Sequence, residues 1–546
     1  MIAARRPPAV APPGIVRDPD LVAGYLEDAS GAAPGYAAGV VRVESESEAS
    51  ALLSSTLASG EAILCQAART SLTAGAIPRG EIVVSVERMG AIGPVERRPG
   101  GGRVVVEPGV RLDDFRHALA LHDLYYPPVP TYEQAMVGGT VSTNAGGAAT
   151  FKYGVTRAWV RALSVVLFNG DVIDVERGQE MARPGEELRV RLSSGVELRI
   201  PVPRYRLPAV KKVSAGYHAA DPLDLVDLFV GAEGTLGLIT SITLDLVPAP
   251  PALVTALVFV ADFGRAIGLA GDLRSAALAS RAAGDGRGPD VRSIEAVDGG
   301  GLALLCASGD TRRLRVAVPD RAGAVVLIEV ELKERSTADA AEEALLAAYD
   351  GKAGDTPLAR LVGILRQYAA LDDVQFALPG DETRRAALRE LREAVPRRVG
   401  ELLAERQRTS AGLRKVAGDL VVPFDRVSEI VRVYETGFES RGLAYAIWGH
   451  LSDGNLHPNA LVRDEREVAA AIDALDEFAD AAVRLGGSPL SEHGVGRDPV
   501  KQRMLRRFLG AEAIDEMRAI KRALDPEGRF APGVLFETAT APGPTP

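Results

Sequence analysis

"PVPTYEQAMVGGTVSTNAGGAATFKYG", Pro128 to Gly154, is the stretch on which the reading of the fold turns. Two glycine pairs, Gly138-Gly139 and Gly146-Gly147, bracket Ser142, Thr143 and Asn144. Glycine lets a backbone approach a flat or anionic ligand with no Cβ in the way, and the residues between supply donors. The same composition also describes an ordinary glycine-rich turn, so the segment is read with its neighbours. Upstream, "CQAARTSLTAG" (Cys65–Gly75) is the end of a strand and a loop of small residues, followed by a second strand, "EIVVSVERM". Downstream, "DLFVGAEGTLGLITSITLDLVP" sets Gly231, Gly234 and Gly237 around Glu233 and Thr235 and then runs into a strand.

From about Ala37 to Pro250 the chain shows short β-like runs punctuated by Gly and Pro, among them "GRVVVEPGV" and "RALSVVLFNGDVIDV". "LDDFRHALALHDL" is a helix-like interruption. "PAPP", Pro248–Pro251, marks a boundary, because consecutive prolines suit neither helix nor strand. Beyond it, strands such as "AVVLIEVEL" alternate with amphipathic helices. Leu388, Leu391, Val395, Val399 and Leu402 recur at helical spacing, with Pro396 expected to kink or split that helix. Val468, Ile472, Leu475 and Ala479 form the face of another helix, stopped by Gly486 and Gly487. Residues 1–36 and 538–546 read as a disordered lead and tail, with 37–250 and 251–537 as the two folded units.

With 546 residues, an apolar share of 47% and a charged share of 25%, this is a globular chain of more than one domain. A net charge of −10 argues against nucleic acid as a partner. Two cysteines, Cys65 and Cys306, exclude a disulfide framework, a Cys-rich zinc site and a cysteine-ligated iron–sulfur cluster. A reducing, cytoplasmic location is the expectation. The prolines of "MIAARRPPAVAPPGIV" do not suit a signal peptide. No apolar run reaches the roughly 20 residues of a membrane span, which leaves room only for peripheral contact with the inner membrane face.

The chain has six histidines, and three fall in two C-terminal motifs. "WGHLSDGNLHPN" carries His450 and His457 on either side of Asp453, Gly454 and Asn455, residues that favour a turn. Strand-like ends flanking that turn can aim both imidazoles into one space. "SEHGVG" adds Glu492 and His493. Two neutral imidazoles and a carboxylate suit Zn²⁺ or a similar divalent ion; isolated core or surface histidines are the competing reading.

In order, "RTSLTAGA", "VGGTVSTNAGG…KYG", "VGAEGTLGLIT", "GHLSDGNLH" and "SEHGVG" resemble the FAD-linked oxidases and dehydrogenases with the flavin fold of p-cresol methylhydroxylase and vanillyl-alcohol oxidase. Within them the D-2-hydroxy acid branch is the most similar: D-lactate and D-2-hydroxyglutarate dehydrogenases and the catalytic subunit of glycolate oxidase. The likeness runs from about residue 37 to 537 and includes "IKRALDPEGRFAPGVLF". It implies an α+β chain with a two-part FAD-binding domain and a ferredoxin-like substrate (cap) domain with a helical end. FAD would be non-covalent, since the first loop has no histidine. Ala67, Ala68, Arg69, Thr70, Ser71, Leu72 and Gly75 would cradle the pyrophosphate. Gly138, Gly139, Thr143, Asn144, Gly146 and Gly147 would border pyrophosphate and ring, with Glu233, Gly234 and Ile239 completing the pocket. His450, His457 and Glu492 would hold a divalent metal such as zinc. His493 would be the general base, Asn459 would touch the substrate, and Arg392 or Lys415 would meet its carboxylate.

The implied reaction oxidises a D-2-hydroxy acid to the 2-oxo acid, with hydride passing from C2 to flavin N5. The electron acceptor would be a cytochrome, a quinone or an electron-transfer flavoprotein, and a homodimer is compatible. Pro396 stands where the hydroxyglutarate enzymes have Thr, which favours a D-lactate-like or larger apolar substrate. The competing activities are an ether-lipid synthase like alkyl-dihydroxyacetonephosphate synthase and a non-catalytic flavin subunit. Glu492 argues against the synthase, whose members carry His there, and the intact His/Glu set argues against the subunit. The first loop departs most from the family: Gln66 replaces an arginine, and Ala67, Ala68, Arg69 and Ala74 replace glycines. A left-handed residue other than glycine costs about 1–2 kcal/mol. The loop is therefore expected to take a milder path or to bind FAD more weakly, with Arg69 reaching the pyrophosphate in compensation.

Overall fold

The apolar runs near the N-terminus form a small parallel sheet in the computed structural model, which describes residues 1–128, 130, 132–410 and 412–537. Gly39–Arg42, Ile82–Ser85 and Ile63–Gln66 lie side by side in that order. Val40, Val41, Ile82, Val83 and Val84 are all buried, as expected for parallel strands covered on both faces. The crossover helix Glu46–Ser59 starts where Ser45 accepts the Glu48 N–H and stops at left-handed Gly60. A second sheet is antiparallel and centres on Leu238–Pro248, which pairs with Gly101–Val106 and Val160–Val166. Ile242, Leu244 and Leu246 point into its core at the two-residue period of a strand. "RALSVVLFNGDVIDV" becomes a hairpin with Val172–Glu176.

Past Pro248 the chain enters an eight-stranded sheet whose pairings are all antiparallel. "AVVLIEVEL" is its strand Ala324–Leu332, paired with Ala252–Val260 and Asp290–Asp298. The helices Phe263–Ala283, Glu382–Gln407 and Glu465–Arg484 pack on it, and Val427–Glu439 packs on the first and last of these. This is the α+β plan that the motifs imply.

Three expectations are revised. The first 36 residues are ordered: Ile2–Ala3 pairs in parallel with Glu187–Arg191, Ile2 is buried, and Val16 bridges Val40. Helix Glu382–Gln407 runs on through Pro396, so of the expected kink or split the split does not occur; burial of Leu388, Leu391, Val395 and Val399 offsets the lost hydrogen bond. The closing segment returns to the flavin half, with Ile63 donating to Arg529 O and Ala531 to Ile63 O. The expected tail 538–546 lies outside the described residues. Among those described, no helix is long and apolar enough to cross a membrane.

Buried Asp298 caps helix Gly299–Ala307 by accepting the Gly301 N–H at 2.8 Å. Burial pushes its carboxyl up to about 7, against those backbone donors. The folded chain therefore keeps a proton that the unfolded chain loses near pH 4, so this contribution falls as pH rises towards 7. Asp298→Asn keeps the acceptor without the charge. Its unfolding free energy from urea titration should change less between pH 5 and pH 8 than that of the wild type, by on the order of 1.4 kcal/mol for each pH unit over which only the folded carboxyl holds its proton. Equal changes in both proteins would refute the assignment.

Candidate active site

A cavity of about 800 Å³ lies between the flavin half and the cap. The first loop lines it with Ala67, Ala68, Arg69, Thr70, Ser71, Leu72 and Gly75. Gly138, Gly139, Thr143, Gly146 and Gly147 form the next wall, and Glu233, Gly234 and Ile239 a third. Of the residues expected around the cofactor, only Asn144 is off the surface. It ends helix Val137–Thr143 in the left-handed conformation, and its Oδ1 accepts the Arg157 N–H at 2.9 Å. The glycine pairs differ in what they do. A Cβ on Gly138 would meet Pro108 at 2.5 Å, which is a packing requirement. A Cβ on Gly146 would reach Lys212 Cε at 3.0 Å and Glu492 Oε2 at 3.3 Å, so Gly146 makes room for the chemistry.

The loop keeps a left-handed path without glycines: Arg69 has φ 56° and Ala74 φ 58°. Gln66, in the arginine's place, donates through Nε2 to Tyr25 O (2.9 Å) and Ala76 O (2.6 Å), clamping both ends. Ser71 Oγ accepts the Gly75 N–H at 3.1 Å. The Arg69 guanidinium rests 5.0 Å over the Tyr25 ring, on the cavity wall. Ala74→Gly should raise stability by about 1 kcal/mol, read as a higher denaturation midpoint, by relieving the left-handed cost. Arg69→Ala keeps the backbone and removes only the cation; loss of a charged hydrogen bond to pyrophosphate should weaken FAD about tenfold. Unchanged affinity would show that Arg69 does not reach it.

Motifs far apart in sequence touch here. Glu233 accepts the Val495 and Gly496 N–H groups, each at 2.8 Å. Gly496 has φ 56°, and a Cβ there would lie 2.1 Å from Thr73 O. "SEHGVG" is thus wedged between the first loop and "VGAEG".

His450, Glu492 and His493 also line this cavity. His450 and His457 sit on a hairpin, Tyr445–His450 and Asn455–Ala460, whose tight turn brings their rings to 5.8 Å. His450 Nδ1 meets Glu295 at 2.6 Å, and its Nε2 lies 3.1 Å from Glu492 Oε1. His457 Nε2 lies 3.4 Å from the same oxygen. The other Glu492 oxygen accepts from buried Lys212 at 2.9 Å, and Lys212 lies 3.4 Å from Asp453. His493 stacks on His457 at 5.1 Å and 13°. Burial works against a charged His450, yet Glu295 and Glu492 carry it up to about 9. Desolvation takes His493 down to about 4, only partly opposed by Asp419. Glu492 is held well below the usual range because Lys212 and His450 outweigh its burial.

The donors suit a divalent ion, but the tightest group differs from the expected one. Asp419, His457, Glu492 and His493 offer ligand atoms within 4.8 Å of one another, and His450 joins them through Glu492. Three expected substrate contacts are not on the cavity wall. Arg392 is buried and paired with Glu295 at 2.9 Å. Asn459 is buried and donates to His457 O at 2.9 Å. Lys415 is exposed. Arg397, one turn beyond Arg392, lines the cavity instead.

Glu295, Lys212 and Asp419 were not singled out in the sequence. The signal available was a lone charge inside an otherwise apolar run, as in "DLVVP" and "SIEAV".

Comparison with known proteins agrees with this arrangement. Residues 37–176 match the family described as FAD binding domain, and residues 250–535 match FAD linked oxidases, C-terminal domain. The chain is 29% identical over 471 residues to glycolate oxidase subunit GlcD of Bacillus subtilis (strain 168), covering 86% of this chain and 82% of that one. It is 26% identical over 486 residues to D-lactate dehydrogenase of Anaerostipes hadrus, covering 86% and 83%. It is 25% identical over 534 residues to D-2-hydroxyglutarate dehydrogenase of Stutzerimonas stutzeri (strain A1501), covering 96% and 97%. The solved structure of alkyldihydroxyacetonephosphate synthase shares the fold, with a TM-score of 0.56 and 14% identity over 92% of this chain and 77% of that one. With a flavin cradle and an oxidase C-terminal half in one chain, this protein belongs to the FAD-linked oxidases.

Proposed function

We propose that the protein is an FAD-dependent dehydrogenase that oxidises a D-2-hydroxy acid, D-lactate-like in size, to the 2-oxo acid. The observation that carries this reading is that His450, Glu492 and His493 close the same cavity that the first loop and Gly138–Gly147 line. FAD bound there supplies the two-electron acceptor. A divalent ion held by His450, His457 and Glu492 would supply Lewis acidity at the substrate oxygens. His493, held neutral near pH 7 by its low pKa, accepts the hydroxyl proton. The carboxylate of Asp419 beside it steadies the charge that results.

Arg392 acts through Glu295 on His450 and not on the substrate directly. Among the described residues the carboxylate contacts of Arg397 are long, to Asp310 (3.5 Å) and Glu390 (3.9 Å), which leaves it suited to a substrate carboxylate. Asn459 braces His457, and Lys415 is exposed and off the cavity wall. Electrons then leave the reduced enzyme to a cytochrome, a quinone or an electron-transfer flavoprotein.

The test is an anaerobic panel of 2-hydroxy acids, D and L, followed by flavin absorbance, with metal analysis of the same sample. Bleaching by a D-2-hydroxy acid and a near-stoichiometric divalent metal are expected. A flavin that no 2-hydroxy acid bleaches would overturn the proposal.

A further inference from the structure

Lys212 belongs to none of the motifs read from the sequence, yet its side chain is fully buried beside the histidine cluster. Its neighbour Lys211 is exposed. The segment is stitched on both sides. The Ser214 N–H donates to Leu490 O at 3.2 Å, two residues before Glu492, and Ser214 Oγ donates at 3.2 Å to Thr143 O in the glycine-framed segment. Lys212 thus enters from the flavin half, and Gly146 leaves room for it: a Cβ there would lie 3.0 Å from Lys212 Cε. A buried ammonium is stable only when it is paired. Here it meets two carboxylates, donating to Glu492 Oε2 at 2.9 Å and lying 3.4 Å from Asp453 Oδ2.

Those two carboxylates belong to the two histidine motifs. Asp453 lies in the turn between the strands that carry His450 and His457, and Glu492 precedes His493. One ammonium therefore clips the turn of the hairpin to the segment "SEHGVG". It also separates the two oxygens of Glu492. Oε2 is taken by Lys212, whereas Oε1 has His450 Nε2 at 3.1 Å, His457 Nε2 at 3.4 Å and His493 Nε2 at 3.8 Å around it. Turning the carboxylate to present both oxygens to the histidines would break the bond to Lys212 and leave a buried charge unpaired.

We propose that Lys212 is a positioning residue for the metal cluster, holding Glu492 so that Oε1 alone is offered on the side of the histidines. This rests on the functional reading above for the presence of a divalent ion at Glu492, but not for the use of that ion on a substrate. A partner behind a ligating carboxylate fixes the direction of the ligand. Lys212 does so from the flavin half, so the cap does not complete the cluster by itself.

The test uses the flavin-loaded full chain, stripped of metal and titrated with Zn²⁺ against a competing chelator, without substrate. Lys212→Met keeps the length of the side chain and its packing against Gly146 but removes the charge and the hydrogen bond. Its Zn²⁺ affinity should fall about 10–100-fold while FAD stays bound. Made in a Glu492→Gln background, the same substitution should cost less than about threefold, because Lys212 acts through that carboxylate. An equal loss in both backgrounds would make Lys212 a general support of the fold and overturn the proposal. Unchanged or tighter zinc in Lys212→Met would overturn it as well, since the ammonium would then only repel the ion. A crystal structure of the zinc-loaded wild type needs no variant. It should place Glu492 Oε1 at about 2.0–2.2 Å from the ion, with Oε2 still on Lys212. Both oxygens on the ion, Oε2 in place of Oε1, or no zinc bound at all would each overturn the proposal. If zinc behaves as stated but no 2-hydroxy acid bleaches the flavin, the functional reading fails and this one stands.

Discussion

His493→Gln is expected to lower kcat for the best D-2-hydroxy acid by about 10²–10⁴-fold, the usual contribution of a positioned general base. KM should stay within a few-fold, because in the proposed reaction His493 would meet the hydroxyl and not the carboxylate. Glutamine is close to histidine in size and can lie against His457, so the cap should still close. The yellow flavin should be retained, since the substitution leaves the first loop and the glycine walls of the cavity unchanged. The measurement is the rate of flavin bleaching after anaerobic rapid mixing, which isolates the step in which the hydroxyl proton is lost. A bleaching rate within threefold of the wild type would assign the base elsewhere.

The second large effect is on the metal. His450→Ala with His457→Ala should remove bound divalent ion and abolish turnover while FAD stays bound. The structure gives the reason that the fold survives. Glu295 keeps Arg392 at 2.9 Å and Glu492 keeps Lys212 at 2.9 Å, so neither buried carboxylate is left without a cation. Breaking a buried pair outright costs about 3–5 kcal/mol, and here that cost is avoided. Metal analysis and flavin absorbance on the same sample check both halves. Full activity in a metal-free double variant would refute a metal-assisted mechanism.

Much of this site was legible because its motifs combine residue types that have few other uses together. The glycine-framed segments, Glu233 and the histidines of "GHLSDGNLH" and "SEHGVG" all reach the cavity or the histidine cluster, except Asn144. The hairpin was readable from Asp453-Gly454-Asn455 between β-like ends. The pairing of Arg392 with Glu295 was not legible, because helical spacing gives a side chain's direction and not its partner. Glu295, which engages it, comes from a strand nearly a hundred residues earlier. The N-terminal lead was misread for a related reason. Its prolines and lack of periodicity suit a disordered segment, but Ile2 is held by the edge of a sheet formed much later in the chain.

By itself the sequence determined the class of fold, the cofactor and the residues from which a metal and a base could be drawn. Glycine placement, strand period and the scarcity of histidine are local properties, and local properties survive in a linear reading. Tertiary structure decided the rest: that Asp419 lies beside two histidines, that Glu295 links Arg392 to His450, and that Lys212 pairs with Glu492. These are contacts between buried charges on separate strands and loops. A buried charge is stable only beside its complement, and which complement it meets is set when the sheets and helices close over one another.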